Sequence, residues 1–367
     1  MARRTKRNLA SLAGLGHPTI DPHSQAVSKK NRMLRALILS SSLMIHAVPS
    51  LVAAEAGAPP KRYVAETGPF EVAKASKILL HDAQRGKELP VDALWPKGDG
   101  PFPLIVYSHG AFSSGDMVQN GPPKHWASYG YICLLPTHAD SMKQLRASGL
   151  SRREALRKVM PSKENGWSDV WSDRPADVTF LLNSLNLLEA AIPELNGKIN
   201  REQIGVGGHS LGAYTAQLIG GATIDTPDGK NQSFADERVN AVLQLSGQGT
   251  DQQGLTKESW RSFTTPMMTM TGSRDRGAQR QGPEWKKEPF DFSPEGDKFH
   301  VDIEGAHHGS FNGHMRTPAQ QKIFGYVQIA TLAFWDAYLK EDPAAQAFLR
   351  SNGLATLSEE AVQIEWK

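Results

Sequence analysis

Cysteine is almost absent from this sequence of 367 residues, which contains only Cys133. A disulfide within the chain is therefore excluded, and stability has to come from a buried core. With 39% of its residues hydrophobic, the chain can bury one large core or two modest ones. Cys133 lies in the apolar run YICLLP, where we expect a small buried thiol, and a catalytic role is the weaker alternative.

Excess positive charge is missing from most of the chain. The formal net charge is +3, but residues 1–54 hold eight Lys and Arg against one acid, Asp21. The rest of the chain therefore carries 33 basic and 37 acidic residues. A basic groove for nucleic acid or another polyanion is not expected.

Metal-binding motifs are missing as well. Neither H-x-H nor H-E-x-x-H occurs, although such spacings allow two histidines to bind one ion. His138-Ala139-Asp140 resembles a fragment of a ligand set, but it lacks partners. We therefore expect neither a metal nor any other cofactor.

A long, uninterrupted apolar run is also lacking, and the strongest candidate lies near the start. KKNRMLR precedes ALILSSSLMIHAVPSLVAA, and small residues offer cleavage near Ala54 or Ala56, which is the layout of a secretory signal peptide. Polar residues and Pro49 interrupt the apolar run, so a membrane anchor is the weaker alternative. We expect a periplasmic or secreted protein. Met33 is an alternative start that would make residues 1–32 an over-extended reading frame.

The remaining sequence favours one main domain, because no second shift in composition appears. With residues 1–54 as a leader, we expect a linker and first strand over 55–74 and the main domain over 75–342. Residues 343–367 are expected to form a C-terminal extension packed on that domain.

Short apolar runs alternate with amphipathic segments along the main domain. Strands are predicted at 88–96, 103–110, 131–138, 204–210, 239–247, 266–272 and 299–305. Helices are predicted at 174–190, 211–221 and 320–340, and long loops at 139–167 and 273–298. This alternation predicts an α/β fold with a mostly parallel central sheet of about eight strands and helices on both faces.

The strongest chemical signal lies in IGVGGHSLGAYTAQ. Gly208-His209-Ser210-Leu211-Gly212 matches G-x-S-x-G between a predicted strand and a predicted helix. In that context the chain turns too sharply for side chains at Gly208 and Gly212, and the hydroxyl of Ser210 is presented outward. We interpret Ser210 as a nucleophile, with a serine in an ordinary turn as the alternative.

A nucleophilic serine needs a base, which is oriented in turn by a carboxylate. Asp275 follows the strand at 266–272, and His307 and His308 follow the next strand, so the chain order Ser, acid, His is satisfied. His308 is favoured over His307, because it stands fourth in GAHH, where enzymes with a G-x-S-x-G nucleophile commonly place the base. The alternatives for the acid are Asp251, Asp291 and Asp302.

Two further groups of residues are predicted around this triad. Backbone N–H groups of Leu211 and Ala111 are expected to stabilise a developing oxyanion, with Phe112 as the alternative to Ala111. Aromatic side chains in loops near the same edge are candidates for an acyl pocket, with simple packing as the alternative. These aromatic residues are Phe112, Trp167, Trp285 and Phe311.

Four motifs, YSHGAF, GGHSLGA, GSRD and GAHHGSF, resemble the α/β-hydrolase superfamily over residues 75–342. HDAQRGKELPVDALWP, THADS and RPADVTFLLNSL are similar to the dienelactone-hydrolase-like and platelet-activating factor acetylhydrolase-like group. The resemblance implies an α/β-hydrolase fold with Ser210 as nucleophile, Asp275 as acid and His308 as base. Dienelactone hydrolases use a cysteine nucleophile, so the serine here does not imply their lactone chemistry.

Together these features predict an exported serine hydrolase that cleaves small-molecule or lipid carboxylic esters through an acyl-enzyme. A lipase-like or phospholipid acyl hydrolase is the alternative within enzymes. A non-catalytic binding protein of the same fold is the less favoured alternative. Neither a nucleic-acid partner nor a stable membrane span is expected.

Overall fold

The structure is a computed structural model that describes residues 63–159, 167–313 and 315–367. The predicted leader, with its alternative start and both cleavage positions, lies outside these residues, as does part of the predicted linker. Within the described ranges, no helix is both long and apolar enough to cross a membrane.

One central sheet organises the described residues. The strands are β1 (Val72–Asp82), β2 (Lys87–Pro96), β3 (Phe102–Ser108), β4 (Ile132–Pro136), β5 (Ile199–His209), β6 (Thr223–Thr226), β7 (Gly229–Ser233), β8 (Val239–Leu245), β9 (Met267–Gly272), β10 (Lys298–Ile303) and β11 (Val362–Trp366). Nine of them form the sheet in the order β1-β2-β4-β3-β5-β8-β9-β10-β11, and β6 pairs with β7 in a separate hairpin.

The sheet is mixed but largely parallel. Strands β4, β3, β5, β8, β9 and β10 run parallel, whereas β2 is antiparallel to β4 and β11 is antiparallel to β10. The predicted α/β class with a mostly parallel sheet is therefore confirmed. The sheet has nine strands, not about eight, because the C-terminal segment adds β11 at one edge. β11 has only 5 residues, Val362–Trp366, and its apolar-polar alternation is too short to predict a strand by itself.

Helices connect most of the strands. They are α1 (Gly115–Val118), α2 (Pro122–Ser128), α3 (Met142–Ala147), α4 (Arg152–Val159), α5 (Val170–Asn183), α6 (Leu185–Ala191), α7 (Leu211–Ile219), α8 (Pro283–Phe292), α9 (Pro318–Leu339), α10 (Pro343–Leu349) and α11 (Gly353–Leu357). The single helix predicted at 174–190 is two, α5 and α6, which meet at Ser184. The two predicted long loops contain α3, α4 and α8, whose charged sequences weakened the helical pattern.

The hydrophobic core has one layer on each face of the sheet. Along β3, Leu104 and Val106 belong to one buried cluster, whereas Ile105 and Tyr107 belong to the other. This alternation follows from the two-residue repeat of a strand. Helices α5 and α7 contribute to the first cluster, and α2 and α9 contribute to the second. Helices therefore cover both faces.

The chain order creates a crevice between β3 and β5. After β3 the chain adds β4 on one side, and after the intervening helices it adds β5 on the other side. In open α/β sheets, ligands bind outside the carboxyl ends of the strands at such a reversal of strand order. Ser210 directly follows β5 and lies at this position.

Candidate active site

Ser210 occupies a strained turn between β5 and α7. Its backbone has φ 57° and ψ −120°, a region that residues other than glycine rarely adopt. The N–H of Ser210 donates to the carbonyl of Leu245 at 3.0 Å, which ties the turn to the neighbouring strand β8. Strain of this kind persists where the surroundings over-determine the backbone, and it is concentrated at functional sites.

The glycines on either side of Ser210 are required by close backbone contact. A Cβ added at Gly212 would overlap the carbonyl of Ser108, and a Cβ added at Gly208 would overlap the backbone of Gly212. The elbow therefore packs directly against the end of β3. The sequence predicted this restriction from the G-x-S-x-G pattern alone.

The structure brings His308 to Ser210. His308 Nε2 lies 3.0 Å from Ser210 Oγ, within hydrogen-bond distance of the hydroxyl. His307 instead caps the short 3-10 turn His308–Phe311, where its Nδ1 accepts the N–H of Gly309 at 3.1 Å. Between the two predicted histidines, the geometry of a general base belongs to His308.

Asp275 lies behind His308. The carboxylate is fully buried, and its Oδ1 is 3.5 Å from His308 Nδ1. Its Oδ2 accepts a hydrogen bond from Thr271 Oγ1 at 3.1 Å. Among the described residues no other carboxylate lies within ion-pair distance of the His308 ring. In particular, the other acids considered from the sequence, Asp251, Asp291 and Asp302, make no such contact.

A buried lysine that the sequence did not single out accompanies this carboxylate. Lys286 on α8 is 3% exposed, and its Nζ lies 3.6 Å from Asp275 Oδ1. Burial opposes the ionisation of Asp275, yet contacts with His308, the charge of Lys286 and the contact with Ser246 hold its pKa below the ordinary value. Burial lowers the pKa of Lys286, and the charge of Asp275 opposes that shift. The carboxylate is therefore held as an anion.

Ser246 makes the shortest contact with Nδ1 of His308, and sequence reasoning missed it. Its Oγ lies 2.6 Å from His308 Nδ1, about 0.9 Å closer than the nearest oxygen of Asp275. Ser246 directly follows β8, is fully buried and has φ 51°. A serine at the end of a strand was the available signal, but serines commonly end strands.

His209 joins the elbow to the loop that carries the base. Its Nε2 lies 2.7 Å from the carbonyl of His308. Burial and the nearby His308 lower the pKa of His209 to about 3, so its ring is neutral near pH 7. Because a carbonyl only accepts hydrogen bonds, the proton of this neutral ring must be on Nε2. His209 therefore fixes the backbone at His308 relative to Ser210.

The proposed oxyanion donors flank Ser210. Leu211 is the first residue of α7, where backbone N–H groups lack a partner within the helix. On the other side, a Cβ placed on Gly110 would lie 3.5 Å from the Cβ of Ser210, so the turn that leads to Ala111 is adjacent to the nucleophile.

Phe112, the alternative to Ala111, forms an isolated parallel bridge with Ser141. Its carbonyl accepts the N–H of Met142 at 3.1 Å, and its φ is 65°. These contacts engage the carbonyl of Phe112 and not its N–H. Ala111 therefore stays the predicted donor, with Phe112 as its alternative.

Arg174 holds the turn before Ala111. The side chain is 1% exposed and donates to the carbonyl of His109 at 2.7 Å. Its Nε and Nη2 also bind the two carboxylate oxygens of Asp140 at 2.9 and 2.8 Å. The charge of Arg174 lowers the pKa of Asp140 to about 2, against the opposing effect of burial. This bidentate pair fixes the guanidinium, and the guanidinium fixes the turn.

A second Ser-His-Asp set, which the sequence did not predict, lies beneath this turn. His138 Nε2 is 2.8 Å from Ser108 Oγ, and His138 Nδ1 is 2.8 Å from Asp177 Oδ2. All three residues are fully buried. Although His138 and Asp140 resembled a fragment of a metal site, they bind Asp177 and Arg174 respectively. In the described part of the chain, no group of three or more His, Cys, Asp or Glu residues could hold a metal ion.

The four aromatic residues predicted to line a pocket have different surroundings. Phe112 and Trp167 are partly buried and pack against the core cluster that contains α5 and α7. Trp285 on α8 is partly buried, and its Nε1 donates to the carbonyl of Thr250 at 2.9 Å. Phe311 is fully buried in the opposite core cluster, so its surroundings are those of a packing residue.

A scan against models of protein families finds no match to this chain, and a search among curated proteins finds none either. Similarity to known proteins therefore assigns no family. The chemistry of the site has to be argued from its own residues and their geometry.

Proposed function

We propose that this protein is a serine hydrolase that cleaves carboxylic esters through a Ser210-His308-Asp275 triad. The main support is the 3.0 Å contact between Ser210 Oγ and His308 Nε2, at a strained turn on the carboxyl edge of the sheet. Asp275 supplies the buried negative charge behind the imidazole. A nucleophile, a base and an orienting anion in this relation are the parts that acyl transfer requires.

In the proposed reaction, Ser210 Oγ attacks the ester carbonyl while His308 Nε2 removes the hydroxyl proton. His308 then returns this proton to the leaving alcohol, and the acyl group remains on Ser210. Water, deprotonated by the same imidazole, attacks the acyl-enzyme and releases the acid. The side chain of His308 is 44% exposed, which allows substrate and water to reach it.

The tetrahedral intermediate carries a negative oxygen, which the N–H groups of Ala111 and Leu211 would stabilise. Leu211 begins α7, and the start of a helix carries partial positive charge that favours an anion. Arg174 holds the turn that presents Ala111. Both donors belong to rigid backbone, so little reorganisation is needed when charge develops.

We also propose that the sheet is that of an α/β-hydrolase and that the closest likeness is to the dienelactone-hydrolase-like and acetylhydrolase-like group. The strand-elbow-helix arrangement at Ser210 and the chain order Ser, Asp, His support the first proposal. The sequence motifs alone support the second.

The proposal is tested by assaying p-nitrophenyl acetate, butyrate and longer esters with the wild type and Ser210→Ala. We expect the substitution to lower kcat by about 10⁴-fold or more. Ser293→Ala is a matched control, because Ser293 is buried at the end of α8 and donates to the carbonyl of Phe290. Equal rates in the wild type and Ser210→Ala would contradict the proposal.

Labelling with a fluorophosphonate separates the enzyme from a non-catalytic binding protein of the same fold. We expect covalent modification of Ser210, located by peptide mass spectrometry, and its loss in Ser210→Ala. A folded wild type that does not label would favour the binding protein. A rate that rises with acyl chain length and at lipid interfaces would favour the lipase-like alternative.

We further propose that the protein is exported and cleaved near Ala54 or Ala56. The basic-apolar-small sequence pattern supports this proposal. N-terminal sequencing of protein recovered from the periplasm or medium tests it, and an intact leader on that protein would contradict it.

A further inference from the structure

We propose that Ser246 is a positioning residue of this site, whose hydroxyl accepts the Nδ1 proton of His308 and holds the ring in the tautomer that a general base requires. This inference rests on the proposed function for its role in turnover. The contact itself, however, can be tested without activity. Ser246 Oγ is 2.6 Å from His308 Nδ1, whereas Asp275 Oδ1 is 3.5 Å from the same atom.

These two distances correspond to different interactions. A separation of 2.6 Å is a short hydrogen bond, whereas 3.5 Å is beyond the usual range for N–H···O. Asp275 Oδ1 has no hydrogen-bond donor in ideal geometry within the described residues. In this arrangement the hydroxyl of Ser246 takes the directional contact, and the carboxylate acts through its charge.

The tautomer follows from that charge. A neutral imidazole carries its proton on Nδ1 or on Nε2, and only the Nδ1–H form leaves Nε2 free to accept the proton of Ser210. The negative charge of Asp275, 3.5 Å from Nδ1, favours the proton on that nitrogen. Ser246 then accepts it. Charge selects the tautomer, and the hydroxyl fixes the direction of the ring.

The position of Ser246 is itself held firmly. The N–H of Ser246 donates to the carbonyl of Met270 at 2.8 Å, and Lys286 Nζ lies 3.4 Å from the carbonyl of Ser246. Ser246 also has φ 51°, which residues other than glycine rarely adopt. The buried hydroxyl contacts His308 Nδ1, and it also bonds the carboxylate of Asp275, whose pKa it helps to lower. A side chain placed at this backbone cost, between the imidazole and the carboxylate, is more consistent with positioning the base than with filling space.

The test compares the full-length wild type with Ser246→Ala in ester hydrolysis and in ¹⁵N NMR of the histidine rings. We expect kcat to fall about 10- to 100-fold while KM changes less than twofold, because the hydroxyl contacts the base and not the substrate. The Nδ1–H fraction of His308, assigned by its loss in His308→Asn, should fall as well. Ser246→Cys, which keeps a weak acceptor, should recover part of both.

Ser246→Gly covers the case in which Ser246→Ala does not fold, because glycine adopts φ 51° without strain. Ser293→Ala should leave kcat and the tautomer unchanged. Unchanged kcat and tautomer in a folded Ser246→Ala or Ser246→Gly would overturn the inference and leave the proposed function standing. If the wild type shows no turnover that depends on Ser210, the proposed function fails. The NMR comparison still decides the role of Ser246.

Discussion

The described ranges of this protein contain two Ser-His-Asp sets, and their short contacts are similar. In the first set, Ser210 Oγ lies 3.0 Å from His308 Nε2. In the second set, Ser108 Oγ lies 2.8 Å from His138 Nε2, and the imidazole lies 2.8 Å from Asp177. The buried second set has the tighter histidine-carboxylate contact. Close distances alone therefore do not distinguish a reactive serine from a structural one.

Access distinguishes the two sets. The side chain of His308 is 44% exposed, whereas Ser108, His138 and Asp177 are fully buried. Ser108 Oγ is also within 3.3 Å of Arg174 Nη1, which occupies another side of its hydroxyl. A substrate can approach Ser210 but has no path to Ser108 without local unfolding. We infer that the second set is structural and supports the turn that leads to Ala111.

The two carboxylates, Asp177 and Asp275, also differ in the number and distance of neighbouring cations. Asp177 Oδ1 is 2.8 Å from Arg85 Nη2 and 2.9 Å from Lys87 Nζ. Within the described residues, Asp275 Oδ1 has one lysine or arginine in ion-pair range, Lys286 at 3.6 Å. Asp177 is therefore neutralised by several close partners, whereas much of the negative charge of Asp275 remains available to its histidine.

The comparison is tested most directly by removing each histidine. His308→Ala should lower kcat for p-nitrophenyl esters by about 10⁶-fold and cost less stability than His138→Ala, because the His308 side chain is 44% exposed. His138→Ala should cost about 3–5 kcal/mol of unfolding free energy, because it leaves a buried polar network unpaired. Steady-state kinetics and urea unfolding of both variants measure the two effects. Loss of stability in His308→Ala with full stability in His138→Ala would reverse our assignment of the two sets.

Gly212→Ala tests the contact through which the two sets touch. A Cβ at this position would overlap the carbonyl of Ser108, so β3 and the elbow would have to separate. We expect a loss of several kcal/mol in stability and, in any folded fraction, slow fluorophosphonate labelling of Ser210. Gly86→Ala is the control, because a Cβ there would meet no atom within 4 Å, although its φ of 61° adds a modest strain. Equal stability of the two variants would contradict the close packing of the elbow.

Arg174→Lys tests whether the buried set supports the oxyanion turn. Lysine keeps the charge but cannot reproduce the planar fork that binds Asp140 and the carbonyl of His109. We expect stability to fall by about 2–3 kcal/mol and kcat by about tenfold, with KM little changed. Arg201→Lys is the control, because Arg201 is exposed and pairs with Glu189 at the surface. Unchanged kcat in a folded Arg174→Lys would show that the turn does not depend on the guanidinium.

Much of the fold was predictable, because buried strands and long helices leave a periodic pattern. The strands at β2, β3, β8, β9 and β10 lie within a few residues of their predicted bounds. Strand β11 and helices α4 and α8 were missed for different reasons. The alternation in β11 spans only 5 residues, and the two helices carry so many charged residues that they resembled loops.

Some residues of the candidate site could likewise be predicted from the sequence, and others could not. Ser210, Asp275 and His308 could be found because each follows a predicted strand and their order along the chain is informative. Ser246 and Lys286 could not, because a serine after a strand and a lysine in a charged helix are common. Their significance comes from packing between α8 and the ends of β8 and β9, which only the three-dimensional structure supplies.

The smallest expected effect, taken per pH unit, is the pH dependence of stability that His138 of the buried set and the neighbouring His109 confer. Burial and the charge of Arg174 lower the pKa values of His138 and His109, so both rings bind protons less readily in the folded protein than in the unfolded chain. In the unfolded chain they bind protons near pH 6.5. Below that pH the unfolded state holds more protons than the folded state, so stability must fall as pH falls.

Each such histidine should contribute up to about 1.4 kcal/mol per pH unit below pH 6.5. Lowered pKa values of Asp140 and Asp177 act in the same direction only at lower pH, as those carboxylates bind protons. Urea unfolding between pH 7.5 and 5 measures the slope. Replacing His138 by Gln should lower stability at pH 7.5 and reduce this slope by about one proton, since the titrating ring is gone. An unchanged slope in that variant would show that His138 does not differ in protonation between the folded and unfolded states, and the contrast drawn between the two sets would lose its electrostatic basis.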